Sequence, residues 1–413
     1  MVSIRDVARK AGVSHQTVSN AINSPNIVSA ATRAKIQEAI KELGYKPNAS
    51  ARRLRSGRSD VVAVGISAGK HRAPSPIFDE FLHLLAAEAN VDGKQIMLYP
   101  RIDEPSEIRH IESLMEQSDV DAIVLNELEV ADGRPRWLIE HHQPFVLFGR
   151  PWNLPAEEAS QIPWVDVDGY SAIKEMTRRL IEAGRRHIGY IGWNSGTGTA
   201  INRYAGWHDA LVEAGLIANG RVLGGNGGLV GSGSDAGSAA EGGVGAEGLA
   251  REEGSAGEER SAGEKDFAGE ERYGDTPLSS WAIGTVEAMR AGEEAAAELY
   301  ERHPELDAIV CPSDNLAVGA LSSISHIVKH AVIDGNPNVA MLSRPVWVTG
   351  FDNSAIAKAF SFPSIQQPLD VVARELLRMT RDVLDGKPIT DDENWHKLLQ
   401  PELVWRNSPY ETE

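Results

Sequence analysis

Four places in the chain put hydrogen-bonding side chains directly after a short run of apolar residues. "VDVDG" offers Asp168. "WNSGTGTAINRYAGW", after the run ending at Trp193, offers Ser195, Thr197 and Arg203. "CPSDNLAVGAL" offers Ser313 and Asp314, and "VTGFDN" offers Asp352. Carboxylates accept hydrogen bonds from hydroxyl groups and a guanidinium donates to them, so this set, brought together, suits a polyhydroxylated ligand such as a sugar. Two carboxylates also suggest acid–base chemistry, with Asp168 and Asp352 as the pair. Nothing in the sequence accompanies that chemistry. No nucleophile motif is present, and the glycine-rich "GGNGGLVGSGSDAG" lacks the Gly-Lys-Ser/Thr ending and the preceding strand of a phosphate loop. The single cysteine, Cys311, excludes a disulfide framework and a multi-cysteine zinc site. The expectation is ligand binding without catalysis, metal or cofactor.

A second polar set lies in "DVARKAGVSHQTVSNAIN" (6–23). Ile4, Val7, Ala8 and Ala11 recur at helical spacing, Gly12 suits a left-handed turn, and Ser14 can cap a second helix with Val18, Ala21 and Ile22 inside. His15, Gln16, Ser19 and Asn20 then form its outer face. This is helix-turn-helix spacing, in which the second helix enters the major groove and its first residues meet base edges. A third helix, capped by Ser29 and ended by Gly44, carries Ala34, Ile36, Ile40 and Leu43. "PNASARRLRSG" (47–57) is too short to be helical alone in water. It reads as a hinge that folds on DNA, with Arg52, Arg53 and Arg55 near phosphates and Leu54 wedged into a minor-groove step. Charge agrees: residues 1–58 hold eleven Lys/Arg against three acids, a net +8 that leaves −26 on the remainder of a chain whose total is −18. A basic head on an acidic body confines DNA contact to the head.

The elements that position the first set alternate. "VVAVGIS", "QIMLYP", "DAIVLN" and "FVLFG" read as strands, with helices over "FDEFLHLLAAEANVDG", "IRHIESLMEQSDV" and "RPRWLIEHH" between them. A second series starts near Val165: helix 169–183, strand "HIGYIGW", helix 201–214, helix 284–302, strand "DAIVCP", helix 314–328 and strand "VWVTGF". Such alternation predicts parallel sheets faced by helices, whose ligands bind beyond the carboxyl ends of the strands. At 413 residues the chain exceeds one compact core. No apolar run approaches the roughly 20 residues of a membrane span, and "MVSIRDVARK" has no signal-peptide core, which together predict a cytoplasmic protein. Residues 219–276 hold 17 of the 39 glycines and repeat "GSAGEER", "RSAGEKD" and "FAGEER". That composition predicts a disordered acidic insertion. "HAVIDGNPNVAMLSRP" (330–345) is a second irregular stretch.

Taken as a whole, "SIRDVARKAGVSHQTVSNAINS…VSAATRAKIQEAIKELGYKPNASARRLRSGRS" resembles the head of the LacI/GalR (lactose-repressor) family over its full length. The two α/β series resemble that family's periplasmic-binding-protein-like core. The resemblance implies an all-α helix-turn-helix head (1–46), a hinge and linker (47–59), a first lobe (60–163 plus 364–386) and a second lobe (164–363 plus 387–413). It implies DNA contacts from His15, Gln16, Thr17, Ser19, Asn20 and Asn23, and from Ala51, Arg52, Leu54 and Arg55 in the hinge. Many relatives carry arginine where Asn20 stands; asparagine pairs best with adenine, so the preferred half-site should differ. For the effector it implies Asp168, Arg203 and Asp352, with Thr197, Ser313 and Asp314 beside them and Phe78 and Trp281 as aromatic contacts. The protein so described is a homodimeric, cytoplasmic, nucleoid-associated repressor of a palindromic operator on double-stranded DNA, controlled by a sugar. The alternative is a sugar-binding protein with no transcriptional role.

Overall fold

The computed structural model describes residues 2–23, 25–45, 58–68, 76–117, 120–130, 132–152, 154–217, 272–273, 276–277, 280–333 and 345–406. The hinge positions Ala51, Arg52, Leu54 and Arg55, most of the 219–276 insertion and most of 330–345 lie outside them. The chain divides into two units, Met1–Ser59 and Asp60–Glu413. Among the described residues, no helix is long and apolar enough to cross a membrane.

The first unit holds three helices, α1 (Ile4–Ala11), α2 (His15–Asn23) and α3 (Ala30–Leu43). Gly12 adopts φ 67°, the left-handed turn the sequence asks for between α1 and α2. Ser14 Oγ accepts the Thr17 N–H at 3.0 Å and Ser29 Oγ accepts the Thr32 N–H at 3.3 Å, so each serine satisfies a first-turn donor. Val7, Ala8, Val18, Ile36 and Ala39 form the buried core.

The second unit begins with β1 (Val61–Ser67), α4 (Pro76–Val91), β2 (Gln95–Arg101), α5 (Glu104–Glu116), β3 (Ala122–Leu125), α6 (Arg134–Glu140), β4 (Phe145–Phe148), α7 (Ala156–Ala159) and β5 (Trp164–Val167). It continues through α8 (Gly169–Glu182), β6 (Ile188–Trp193), α9 (Gly198–Glu213), the short antiparallel pair β7 (Arg272–Tyr273) and β8 (Thr276–Pro277), then β9 (Ala282–Thr285). The remainder is α10 (Met289–Arg302), β10 (Ala308–Val310), α11 (Asp314–Ile333), β11 (Trp347–Thr349), α12 (Ala355–Phe360), β12 (Ser364–Gln366), α13 (Leu369–Leu384), β13 (His396–Leu399) and β14 (Glu402–Val404).

Two parallel sheets result, ordered β13-β5-β4-β3-β1-β2 and β11-β10-β6-β9, each with apolar clusters on both faces. β12 and β14 pair antiparallel and pack on the second lobe through Ile365, Leu403 and Trp405. These pairings move the lobe boundaries from those read in sequence. β5 runs parallel to β4, with Leu147 opposite Trp164, and β13 runs parallel to β5, with His396 opposite Trp164; both therefore belong to the first lobe. β12, read as first-lobe chain, belongs to the second. The polypeptide thus passes between lobes at Asp168, at 367–368 and at 400–401. The helix expected from residue 284 starts only at Met289, because 282–285 is the edge strand beside β6.

Candidate functional site

On α2, His15 and Gln16 are exposed, Thr17 is half-buried with its hydroxyl 2.8 Å from that of Ser14, and Gln16 Nε2 donates to Asn20 Oδ1 at 3.1 Å. That bond holds the two amides side by side on one face of the helix. Ser19, one turn on from His15 and Gln16, is buried where they are exposed. The Asn23 side chain lies outside the described residues.

The second candidate set converges where the strand-end rule places it. Arg203, on the second turn of α9, is buried. Its guanidinium lies 3.5 Å over the Phe351 ring and 5.2 Å from the Trp193 ring, and its Nη1 donates to the Pro312 carbonyl at 2.5 Å. Its Nε is buried with no hydrogen-bond partner among the described residues. Burial lowers its pKa, and the charges of Asp352, Asp166 and Glu287 act against that shift. Asp168 caps α8 through the Ser171 N–H at 3.0 Å, and its other oxygen accepts from Gln400 Nε2 at 3.1 Å. Asp352 accepts from Gln367 Nε2 at 2.7 Å. Burial pushes its pKa well up, against the pull of Arg203. Both glutamines belong to chain passages between the lobes.

Other expected contacts also make hydrogen bonds or ring contacts within the protein. Thr197 caps α9 through the Ala200 N–H at 3.3 Å, with the Ser195 hydroxyl 3.0 Å away. Ser313 donates to Glu287 at 2.8 Å while accepting the Leu316 N–H at 3.3 Å. Asp314 turns inward: it accepts from the Ser364 hydroxyl at 2.6 Å and the Ser354 N–H at 2.7 Å, joining α11 to β12 and to the start of α12. Phe78 is half-buried beside Phe81, which packs in turn on Phe148 at the end of β4. Trp281 is a correction. It stacks on His303 at 3.7 Å and lies 5.9 Å from His187, beside the amino ends of β6 and β9, the edge opposite the strands' carboxyl ends.

Sequence reasoning missed Glu287. It lies two residues past β9 and collects the Trp193 Nε1–H at 2.5 Å, the Ser313 hydroxyl and the Asn315 Nδ2 at 3.0 Å. The strand-end rule would have selected it had 282–285 been read as a strand. A charged group in the first lobe was missed as well. Arg101 ends β2 and pairs with Glu127, and Arg134 pairs with Glu107 at 2.8 Å and Asp132 at 2.6 Å. Tyr99 donates to the buried Glu107 at 2.9 Å. Arg101, Glu107, Glu127, Asp132, Arg134 and Thr197 of the second lobe line a cavity of about 270 Å³. Beside it the lobes meet directly: Val130 N–H donates to Gly196 O at 3.0 Å, Gly198 N–H donates to Leu128 O at 3.2 Å, and a Cβ at Gly198 would fall 2.0 Å from the Trp152 ring.

Residues 3–48 match the family profile "Bacterial regulatory proteins, lacI family", and residues 71–226 and 276–351 match "Periplasmic binding proteins and sugar binding domain of LacI family". The gap between the two latter stretches falls within the segment read as an insertion. The HTH-type transcriptional regulator CelR of Thermobifida fusca is 28% identical over 97% of this chain and 96% of its own length. GalR of Escherichia coli K12 is 26% identical over 99% and 96%. Among solved structures, a CelR–cellobiose complex matches with TM-score 0.60 and 24% identity, covering 99% of this chain and all of its own. A lac repressor dimer bound to operator and the anti-inducer ONPF matches with TM-score 0.66 and 17% identity over 98% of each chain, a likeness of fold.

Proposed function

The chain belongs to the LacI family of bacterial regulatory proteins, and on that premise we propose that a sugar held between the lobes sets its affinity for an operator. It is a sequence-specific DNA-binding transcriptional regulator. The match of 3–48 sets aside a sugar-binding protein with no transcriptional role.

The observation that carries the sugar reading is the grip on the two ligand carboxylates. Asp168 is held by Gln400 and Asp352 by Gln367, each glutamine standing in an inter-lobe passage. Sugar hydroxyls donating to those carboxylates compete with the glutamines, so occupancy of the crevice is felt where the lobes articulate. Arg203 donates to the same ligand, and Trp193, pinned by Glu287, supplies an aromatic face. A change in lobe angle passing into the 47–59 hinge then alters how the head holds DNA. Coupling of about 1–3 kcal/mol gives a 5–150-fold change in affinity. The working form is a cytoplasmic, nucleoid-bound homodimer that reads a palindrome through His15, Gln16 and Asn20 and represses.

The test is binding to a labelled palindrome from beside the protein's own coding region, at fixed salt, with a sugar panel headed by cellobiose, the ligand in the structure of one relative. One sugar shifting the affinity supports the reading; tight operator binding indifferent to every sugar overturns it. Leu54→Ala should weaken specific binding far more than nonspecific binding, and equal losses on both DNAs remove the wedge.

A further inference from the structure

We infer that the crevice selects an uncharged sugar and rejects the phosphorylated form of the same sugar. The inference rests on the crevice being the effector site, and it concerns the charge of the ligand that site accepts.

The first-lobe cavity that adjoins the effector set, sharing Thr197 with it, carries six carboxylates against two guanidiniums, Arg101 and Arg134. Both guanidiniums are already engaged by acids. Arg101 pairs with Glu127 and stands 3.9 Å from Glu107, while Arg134 is shared between Glu107 and Asp132. In the second lobe, the Glu287 carboxylate, which accepts from Trp193, Ser313 and Asn315, adds a further acid. An incoming dianion therefore meets a surplus of negative charge from both lobes.

Helix amino termini are the feature that could reverse this conclusion, because their free N–H groups and dipoles attract phosphate. The amino termini of α5 and α6 border the cavity and those of α8, α9 and α11 lie at the carboxyl ends of the strands; each is occupied, the first two by Asp103, Glu104 and Asp132. Asp168 caps α8, Thr197 and the Leu128 carbonyl take first-turn N–H groups of α9, and Ser313 caps α11. The cap on α8 is itself a carboxylate, so a phosphate there would displace one anion and face others. What the crevice still offers is carboxylate oxygens that accept from hydroxyls, and the buried Nε of Arg203. Those groups suit a ligand rich in O–H and lacking formal charge.

The test is isothermal titration of the full-length chain at fixed ionic strength with matched pairs: cellobiose, D-glucose and D-galactose, each beside its monophosphate ester. The neutral member of the binding pair should be favoured by at least about 100-fold, since like charges facing each other across a binding site are strongly disfavoured. An ester that binds as tightly as its parent sugar, or more tightly, overturns this inference and leaves the crevice as the effector site. If no member of any pair binds, the crevice reading falls with it. Glu127→Gln provides the second readout: it removes the nearer of the two acids beside Arg101 and one negative charge from the cavity wall, so the preference for the neutral sugar should shrink at least about tenfold. An unchanged ratio overturns the charge mechanism.

Discussion

Asp352 adopts φ 111°, a backbone region that favours glycine, and it is held there by its N–H on the Ile365 carbonyl at 2.7 Å and its carboxylate on Gln367. Such strain costs about 1–3 kcal/mol and persists where neighbours over-determine the conformation. Burial raises the pKa of its carboxyl, as it does for Asp166 and Asp314. A carboxyl whose folded pKa exceeds its unfolded value binds a proton on folding. Its stabilising contribution is complete below the ordinary carboxylate range and is lost as pH rises through the raised value. Urea unfolding from pH 4.5 to 8 should therefore show stability falling with pH through this trio, and Asp352→Asn should flatten that dependence; an unaltered profile sinks the assignment. Glu287→Gln leaves the Trp193, Ser313 and Asn315 donors facing a poorer acceptor. Titration should show sugar affinity down about tenfold, the scale of one lost charge-assisted hydrogen bond. The places of Asp168, Arg203 and Asp352 at or beyond strand ends were legible because each follows a recognisable apolar run. Arg101, Glu127 and Glu287 were not, because charged side chains beside a strand look like surface until the opposite lobe is known.

At the scale of elements, helix pairs approach through glycine. A Cβ at Gly319 of α11 would lie 1.9 Å from the Met289 carbonyl at the start of α10, and one at Gly206 of α9 would lie 2.3 Å from the Tyr170 carbonyl in α8. Backbone cannot yield as a flexible side chain does, so Gly319→Ala should cost about 1–3 kcal/mol or more in denaturant unfolding. In the head, Ser14→Ala removes the cap of α2 and should cost about 1 kcal/mol, with weaker operator binding as the helix start frays. A variant as stable as the parent would deny the cap its role. The head helices were legible almost to the residue, since cap, apolar spacing and glycine stop agree there. The lobe assignment of β5, β12 and β13 was not. "WVDV" shows that a strand exists, yet nothing local records which of two parallel sheets it joins, and "HKLL" is too short and too mixed in polarity to declare a strand by itself.

For the whole molecule, the direct meeting of lobes at Glu129 and Thr197 gives a handle on their motion. The single native cysteine is buried and would be a bystander to engineered thiols. Glu129→Cys with Thr197→Cys should form a disulfide on mild oxidation and fix the lobe angle, making operator affinity indifferent to sugar until a reductant is added. A cross-linked protein that still responds would mean that the signal does not travel by lobe rotation.

The first sheet is finished by β13, which lies beside β5 although more than 200 residues of sequence separate the two strands. During synthesis the three head helices are complete within the first 45 residues, while β5 keeps an open edge until residues 396–399 have been made. A nascent chain therefore carries its finished head helices long before the first sheet of its core can close. Premature termination anywhere in that interval would release the head joined to a first lobe with an unpaired strand edge, a ready template for aggregation.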